Sequence, residues 1–476
     1  MTKIDVKGIG PVEAASITFK PLTIFIGPNN SGKSYTAMLL SALNHALTSR
    51  IFINEVSQKV LEKLSSRISI EKAPEDEILD AIPDAIISSL RKDFPTSHIR
   101  REIERVYSCN ISDIINHNIG TLEINVNNKF LNYSLLITKD EIKINNVNLY
   151  KEKVQKFLEI LKKFSKRTPE ILQYFLKLLT DFYIRFTLFN IFKLYDNIWY
   201  LPAARSGILQ AHRAIAATIV YEAPYIPIAR TRIETLPRLT GVVADFISNL
   251  LTIPRREVRT PPPYFPTLPP YFPTILIDLA MPTRKKKELQ SCVNFLEEVI
   301  LEGEIDVKIE RESMISDIVY RQKDTTYPIH STSSMVSELA PLDLYVKYLV
   351  SKGDLLIIEE PEAHVHPEKQ RSMARFLVKL VRSGVNLLIT THSDYILAQL
   401  NNFILAGTRK PEVRAREKYN EDYLKPEEIS AYLFKKNDKG YVATPLEVTE
   451  EGIPEEEFAE VARAIGNEYA RLYYSK

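Results

Sequence analysis

The chain has 476 residues, 45% of them hydrophobic and 26% charged, ordinary globular proportions that allow one large domain carrying an insertion or two domains. No apolar run approaches the roughly 18 residues a membrane helix needs, and Met1 to Val6 lacks the pattern of a signal peptide, so no membrane association and a cytoplasmic location are expected. The net charge of +2 is too small to argue for a polyanionic partner, but it is uneven: Arg230 to Lys287 holds ten Lys or Arg against four acids, +6 in that segment and −4 in the rest. Cys109 and Cys292 lack metal-ligand spacing and read as buried thiols.

In chain order, Ile4 to Lys7 and Glu13 to Phe19 alternate apolar and polar as strands do, and the apolar run Leu22 to Ile26 ends on a glycine loop, with a helix expected after Lys33. Val56 to about Ile115 reads as amphipathic helix interrupted by Pro74, Pro83 and Pro95. Thr121 to Tyr150 alternates as an antiparallel meander, with Asn127-Asn128 and Asn145-Asn146 as turn signals, and Lys151 to Phe192 returns to helical spacing. A buried strand, Ile198 to Leu201, leads into Pro202-Ala203-Ala204-Arg205. The next hundred or so residues differ in character and contain a seven-residue duplication, Pro262 to Leu268 and Pro269 to Ile275, that neither helix nor central strand accommodates. From Asp354 the chain reads strand, loop, helix (Glu368 to Arg382, stopped by Gly384) and strand (Val385 to Thr390), a parallel α/β pattern. Beyond Glu455, Phe458, Val461, Ile465, Tyr469 and Leu472 recur at helical spacing and predict a packing helix.

The sharpest local signal is Gly27-Pro28-Asn29-Asn30-Ser31-Gly32-Lys33-Ser34, followed by Tyr35, a phosphate-loop pattern placed between an apolar strand and a helix. Inward-pointing N–H groups and the helix N-terminus suit phosphate oxygens, Lys33 reaches the β/γ-phosphates and the Ser34 hydroxyl suits Mg²⁺. The pattern predicts bound ATP with Mg²⁺. Downstream, Leu355 to Pro361 is a buried strand ending in Glu359 and Glu360. Two acids there divide the labour, Glu359 holding the metal and Glu360 polarising the attacking water.

With these residues in place, Pro361-Glu362-Ala363-His364-Val365-His366-Pro367 and Leu388-Ile389-Thr390-Thr391-His392-Ser393 resemble the Walker B, D-loop and H-loop run of ABC-type P-loop ATPases of the SMC, RecF and OLD-like group. The resemblance implies an α/β ATPase head, a mixed sheet flanked by helices with an antiparallel meander, and His392 as the residue coupling the γ-phosphate to Glu360. Zinc held by His364, His366 and His392 is the alternative. His330 to Glu338 resembles an ABC signature without its glycines, so Ser333 and Ser334 are expected to contact ATP held by a second copy, which implies an ATP-dependent homodimer. Arg205 stands where relatives place their Q-loop; a γ-phosphate contact and a surface or ion-paired arginine are the two readings.

These features divide the chain into head segments 1–205 and 326–476 around a basic, Pro-rich insertion, 206–325. After His392 no D-x-D pair occurs, so a Toprim nuclease is not expected. The leading expectation is an ATP-driven clamp on nucleic acid, bound through Arg230 to Lys287, with a separately encoded effector in DNA maintenance or antiphage defence. The alternative is an ATP-dependent protein-binding module that presents the Pro-Tyr-Phe repeat. A transporter subunit and a small-molecule kinase are weaker readings of the same motifs.

Overall fold

The computed structural model describes residues 2–70, 73–165, 176–211, 239–253, 288–308, 317–454 and 456–475. The elements are β1 (Lys3–Ile9), β2 (Val12–Thr18), β3 (Leu22–Ile26), α1 (Lys33–Thr48), α2 (Arg50–Ser65), α3 (Glu75–Lys92), α4 (Thr96–Tyr107), α5 (Ile111–Ile114), β4 (Leu122–Asn127), β5 (Leu131–Ile137), β6 (Ile142–Leu149), α6 (Lys151–Ser165) and α7 (Leu176–Phe192). There follow β7 (Ile198–Leu201), α8 (Gly241–Thr252), α9 (Gln290–Phe295) with a π-helical turn Leu296–Leu301, β8 (Glu304–Lys308), β9 (Asp317–Gln322), β10 (Thr325–Pro328) and α10 (Ser334–Tyr348). The last are β11 (Leu355–Glu359), α11 (Pro367–Arg382), β12 (Asn386–Thr391), α12 (Asp394–Gly407), α13 (Pro411–Arg416), β13 (Ile429–Asn437), β14 (Gly440–Leu446) and α14 (Glu456–Tyr474). The basic residues Arg230 to Arg238 and Arg255 to Lys287 and the duplicated Pro-Tyr-Phe segment lie outside the described residues.

One mixed sheet of 11 strands runs in the order β6-β5-β4-β1-β2-β14-β13-β3-β12-β11-β7. Its half from β13 to β7 pairs in parallel, and the meander β1, β2, β4, β5 and β6 pairs antiparallel. The expected mixed sheet with an antiparallel meander is what the chain forms. The parallel strands β3 and β11 are buried along their whole length, as two-sided coverage by helices demands. One face of the sheet is covered by a core reaching from α1 to α7, the other by a core that joins α8, α9, α10, α11 and α12. Phe246 and Ile247 of α8 and Cys292 and Val293 of α9 thus pack in the same core as the residues around β11.

Three local readings are corrected by the packing. Pro74 and Pro95 stand at helix N-caps, but Pro83 lies inside α3, which continues through it. Asn145-Asn146 is not a turn: β6 is continuous there, and the register against β5 slips between Asn132 and Ser134, with Asn146 at φ 53° absorbing an extra residue as a bulge. The helix after Glu455 forms, but of its expected packing residues Ile465, Tyr469 and Leu472 are 63%, 67% and 71% exposed, and the side chains of Phe458 and Val461 lie outside the described residues. The left-handed backbone at Asn146 is one Asn or Gly adopts readily and a β-branched residue does not. Asn146→Val is therefore expected to destabilise by about 1–2 kcal/mol and Asn146→Gly to stay within about 0.5 kcal/mol of the parent, as denaturant midpoints will show.

Candidate functional site

The parallel register builds the site. Ile26 of β3 is level with Thr391 of β12, Thr390 with Glu359 of β11, and Ile358 with Leu201 of β7. The four segments leaving these strands, at Gly27, His392, Glu360 and Pro202, therefore emerge in one row at the C-terminal edge, where ligands of open α/β sheets bind.

Within the row, the loop from Gly27 to Ser34 turns through positive φ at Gly27 (140°), Asn30 (61°) and Gly32 (92°). Side chains are barred where the loop needs room: a Cβ on Gly32 would lie 2.3 Å from Val12, and one on Gly27 2.9 Å from the Phe434 carbonyl. The loop ends in α1, a 16-residue helix with neither a side-chain cap nor an acid in its first turn. Its N-terminal N–H groups and positive end are left for an external anion. The Lys33 amine turns back to donate to the carbonyls of Gly27 (2.9 Å) and Pro28 (2.8 Å). Burial lowers its pKa to about 8, against the opposing pull of Glu360, Glu359 and Glu362. Ser34 is half-buried, and Tyr35 sits with its ring centroid 5.2 Å from that of Tyr107 and against Gly10.

Glu359 is buried, and both carboxylate oxygens are held, Oε1 by the Tyr200 hydroxyl (2.8 Å) and Oε2 by the Ala203 N–H (2.9 Å). Glu360, next in the chain, is half-open and stands at φ 46°, with its N–H donating to the Thr390 carbonyl (2.9 Å). A non-glycine residue in that region carries roughly 1 kcal/mol of strain or more, so neighbouring bonds must hold it. His392 Nε2 is 3.9 Å from Glu360 Oε1, and burial with the Lys33 charge keeps its imidazole pKa below the usual value. A carboxylate at a strand end beside a neutral imidazole suits a group that takes a proton from water. Glu362 anchors the row from below: its Oε1 accepts from the Thr391 hydroxyl (2.8 Å) and the His392 N–H (2.7 Å), and burial raises its pKa.

The site fits a nucleotide polyphosphate and a hard divalent cation: an uncapped helix end, an ammonium and a hydroxyl face phosphate, and few carboxylates stand beside them. The zinc alternative finds no support. Among the described residues no group of three or more His, Cys, Asp or Glu could hold a metal, and His366 instead accepts from the Glu368 N–H as the N-cap of α11.

Residues 270–397 match the family model described as an AAA ATPase domain, a stretch that contains β11, Glu359, Glu360 and His392. Over that stretch the chain is similar to an AAA ATPase domain. Solved structures similar to the chain include an SMC head bound to the C-winged helix domain of ScpA, 11% identical over 94% of this chain and 98% of that one, with a TM-score of 0.38. Others are the SMC head of Thermotoga maritima (10%, 94% and 98%, TM-score 0.36) and the Pyrococcus furiosus SMC head with an extended coiled coil bound to the C-terminal domain of ScpA (11%, 98% and 100%, TM-score 0.37). No curated protein matches the chain. Among the described residues, no helix of the chain is long and apolar enough to cross a membrane.

Two expected ligand groups lie elsewhere than in the row. Ser333 and Ser334 form the exposed start of α10, where Ser333 caps the helix by accepting from the Val336 N–H (3.3 Å). Arg205 does not open toward the loop: it is 0% exposed, its guanidinium is ion-paired with Glu338 (3.0 Å), and it donates to the carbonyls of Pro202, Glu359 and Glu360. Of its two sequence readings, the geometry takes the ion pair. Tyr200, Glu338 and Glu362 escaped the sequence reading. Tyr200 sits in an apolar strand and Glu338 in an apolar helix, and only an acid or hydroxyl inside such a run hints at a buried partner.

Lys33 supplies a test of the cluster. Its folded-state pKa of about 8 lies below the ordinary 10.5, so the unfolded chain binds its proton more tightly and the nucleotide-free protein gains stability as pH rises from 8 to 10.5. The gain is on the order of 3 kcal/mol. Lys33→Met removes that rise, and parallel denaturation curves for the two proteins from pH 7.5 to 10.5 would contradict the assignment.

Proposed function

We propose that the protein binds ATP with Mg²⁺ at Gly27 to Tyr35 and hydrolyses it. The reading is carried by the register that sets the phosphate loop, the Glu359-Glu360 pair and His392 in one row, with His392 3.9 Å from Glu360. In this reading the loop N–H groups and Lys33 hold the β- and γ-phosphates, and Ser34 and Glu359 take the metal, which offsets phosphate charge. Glu360 accepts the proton of the attacking water, and His392 orients the γ-phosphate against it. Tyr200 and the Ala203 N–H keep Glu359 aimed at the row.

The exposed start of α10 supports a shared site, in which Ser333 and Ser334 of one copy close over the nucleotide of another and ATP drives homodimerisation. The net +6 of Arg230 to Lys287 supports action on DNA by an OLD-like clamp working in the cytoplasm with a separate effector protein. The division into head segments 1–205 and 326–476 with an insertion between belongs to the same proposal.

Glu360→Gln is expected to lower steady-state ATP hydrolysis at least 100-fold, while nucleotide-bound dimers accumulate in size-exclusion profiles; unchanged turnover would remove Glu360 from the role. Duplex DNA is expected to stimulate the wild-type rate at low salt and to lose that effect as salt rises. Turnover indifferent to DNA at every salt concentration would instead favour an ATP-dependent protein-binding module.

A further inference from the structure

Arg205 is the largest wholly buried side chain among the described residues. A guanidinium has five N–H donors and is tolerated out of water only when they are paired. Here Nε donates to the Glu338 carbonyl (3.2 Å), Nη1 to the carbonyls of Pro202 (3.1 Å) and Glu359 (2.5 Å), and Nη2 to the Glu360 carbonyl (3.1 Å), while Nη2 is also ion-paired with Glu338 Oε1 (3.0 Å). The partner is equally saturated. Glu338 Oε1 accepts from the Arg205 N–H (3.1 Å) and Oε2 from the Ser206 N–H (2.8 Å), so its carboxylate also caps the helical backbone that begins at Arg205. Ala204, at φ 56°, is the strained residue that turns Arg205 inward, and Glu360, at φ 46°, is the strained residue it grips.

We propose that Arg205 and Glu338 are positioning residues for hydrolysis, tying the left-handed backbone of Glu360 to α10 so that the water-activating carboxylate is aimed only when α10 is in place. This rests on the ATPase reading above. Glu338 lies little more than one turn inside α10 from Ser334, whose exposed end is the surface offered to a second copy. Displacement of that end moves Glu338 with the helix, then Arg205, then the two carbonyls of the paired glutamates. Neither residue touches the phosphate loop, so nucleotide affinity lies outside their control.

Removing one partner alone strands a buried charge, whereas removing both charges together leaves stability nearly intact. The double variant Arg205→Met/Glu338→Gln, which keeps one of the two oxygens that accept from the N–H groups of Arg205 and Ser206, therefore separates positioning from folding. It is expected to melt within a few degrees of the parent and to bind a fluorescent ATP analogue with unchanged affinity, yet to lose at least tenfold in kcat. Should it fail to fold, Arg205→Lys, which keeps the charge with fewer donors, is read in the same way. A folded variant with kcat within twofold of the parent overturns the proposal, as does a loss of affinity equal to the loss of rate. Glu360→Gln is assayed beside it: if that substitution also leaves turnover unchanged, the ATPase reading has failed, and if it abolishes turnover while the double variant does not, only the positioning role has.

Discussion

Everything at the candidate site depends on the parallel register of four strands. Hydrogen bonding between β3, β12, β11 and β7 brings residues near positions 27, 202, 360 and 392 to one edge, although the first and last lie 365 positions apart (392 minus 27). In a parallel ladder a slip of one residue would turn every side chain to the opposite face. The wholly buried runs of β3 and β11 prevent a slip, because their apolar side chains feed separate cores on the two faces. The register is thus held by burial, and the chemistry follows from the register.

Charge at the edge is arranged in two layers. The outer layer faces the edge: Lys33 is buried, Glu360 and His392 are half-open with His392 Nε2 3.9 Å from Glu360 Oε1, and the Lys33 charge adds to burial in lowering the His392 pKa. The inner layer is held by hydrogen bonds and an ion pair. Tyr200 and Ala203 hold Glu359, Glu362 holds Thr391 and His392, and Arg205 with Glu338 holds the backbone beneath the paired glutamates. Buried charges cost so much unpaired that such a layer has little freedom to rearrange. That rigidity is what lets two non-glycine residues, Ala204 and Glu360, persist in left-handed backbone at the site.

Charge also decides between the two sequence readings of the Q-loop-like position. An arginine at the end of an apolar strand can face solvent, a ligand or the interior, and nothing in Pro202-Ala203-Ala204-Arg205 decides among them. The decision belongs to Glu338, 133 residues further on and buried in α10, whose carboxylate finds its partner only once the helix packs beside β7 and β11.

What the sequence determined by itself is whatever is set by near neighbours. The phosphate loop, the strands on either side of the paired glutamates, the meander and the start of α10 all follow from glycine placement, strand alternation and helix-capping residues, whose physics acts within a few residues. The tertiary structure alone decided the rest. It made Asn145-Asn146 a bulge instead of a turn, because β6 has a partner on which to continue; it left Ile465, Tyr469 and Leu472 of α14 exposed; and it turned Arg205 inward. Each outcome depends on what lies across the fold from a residue, and spacing along the chain carries no record of that.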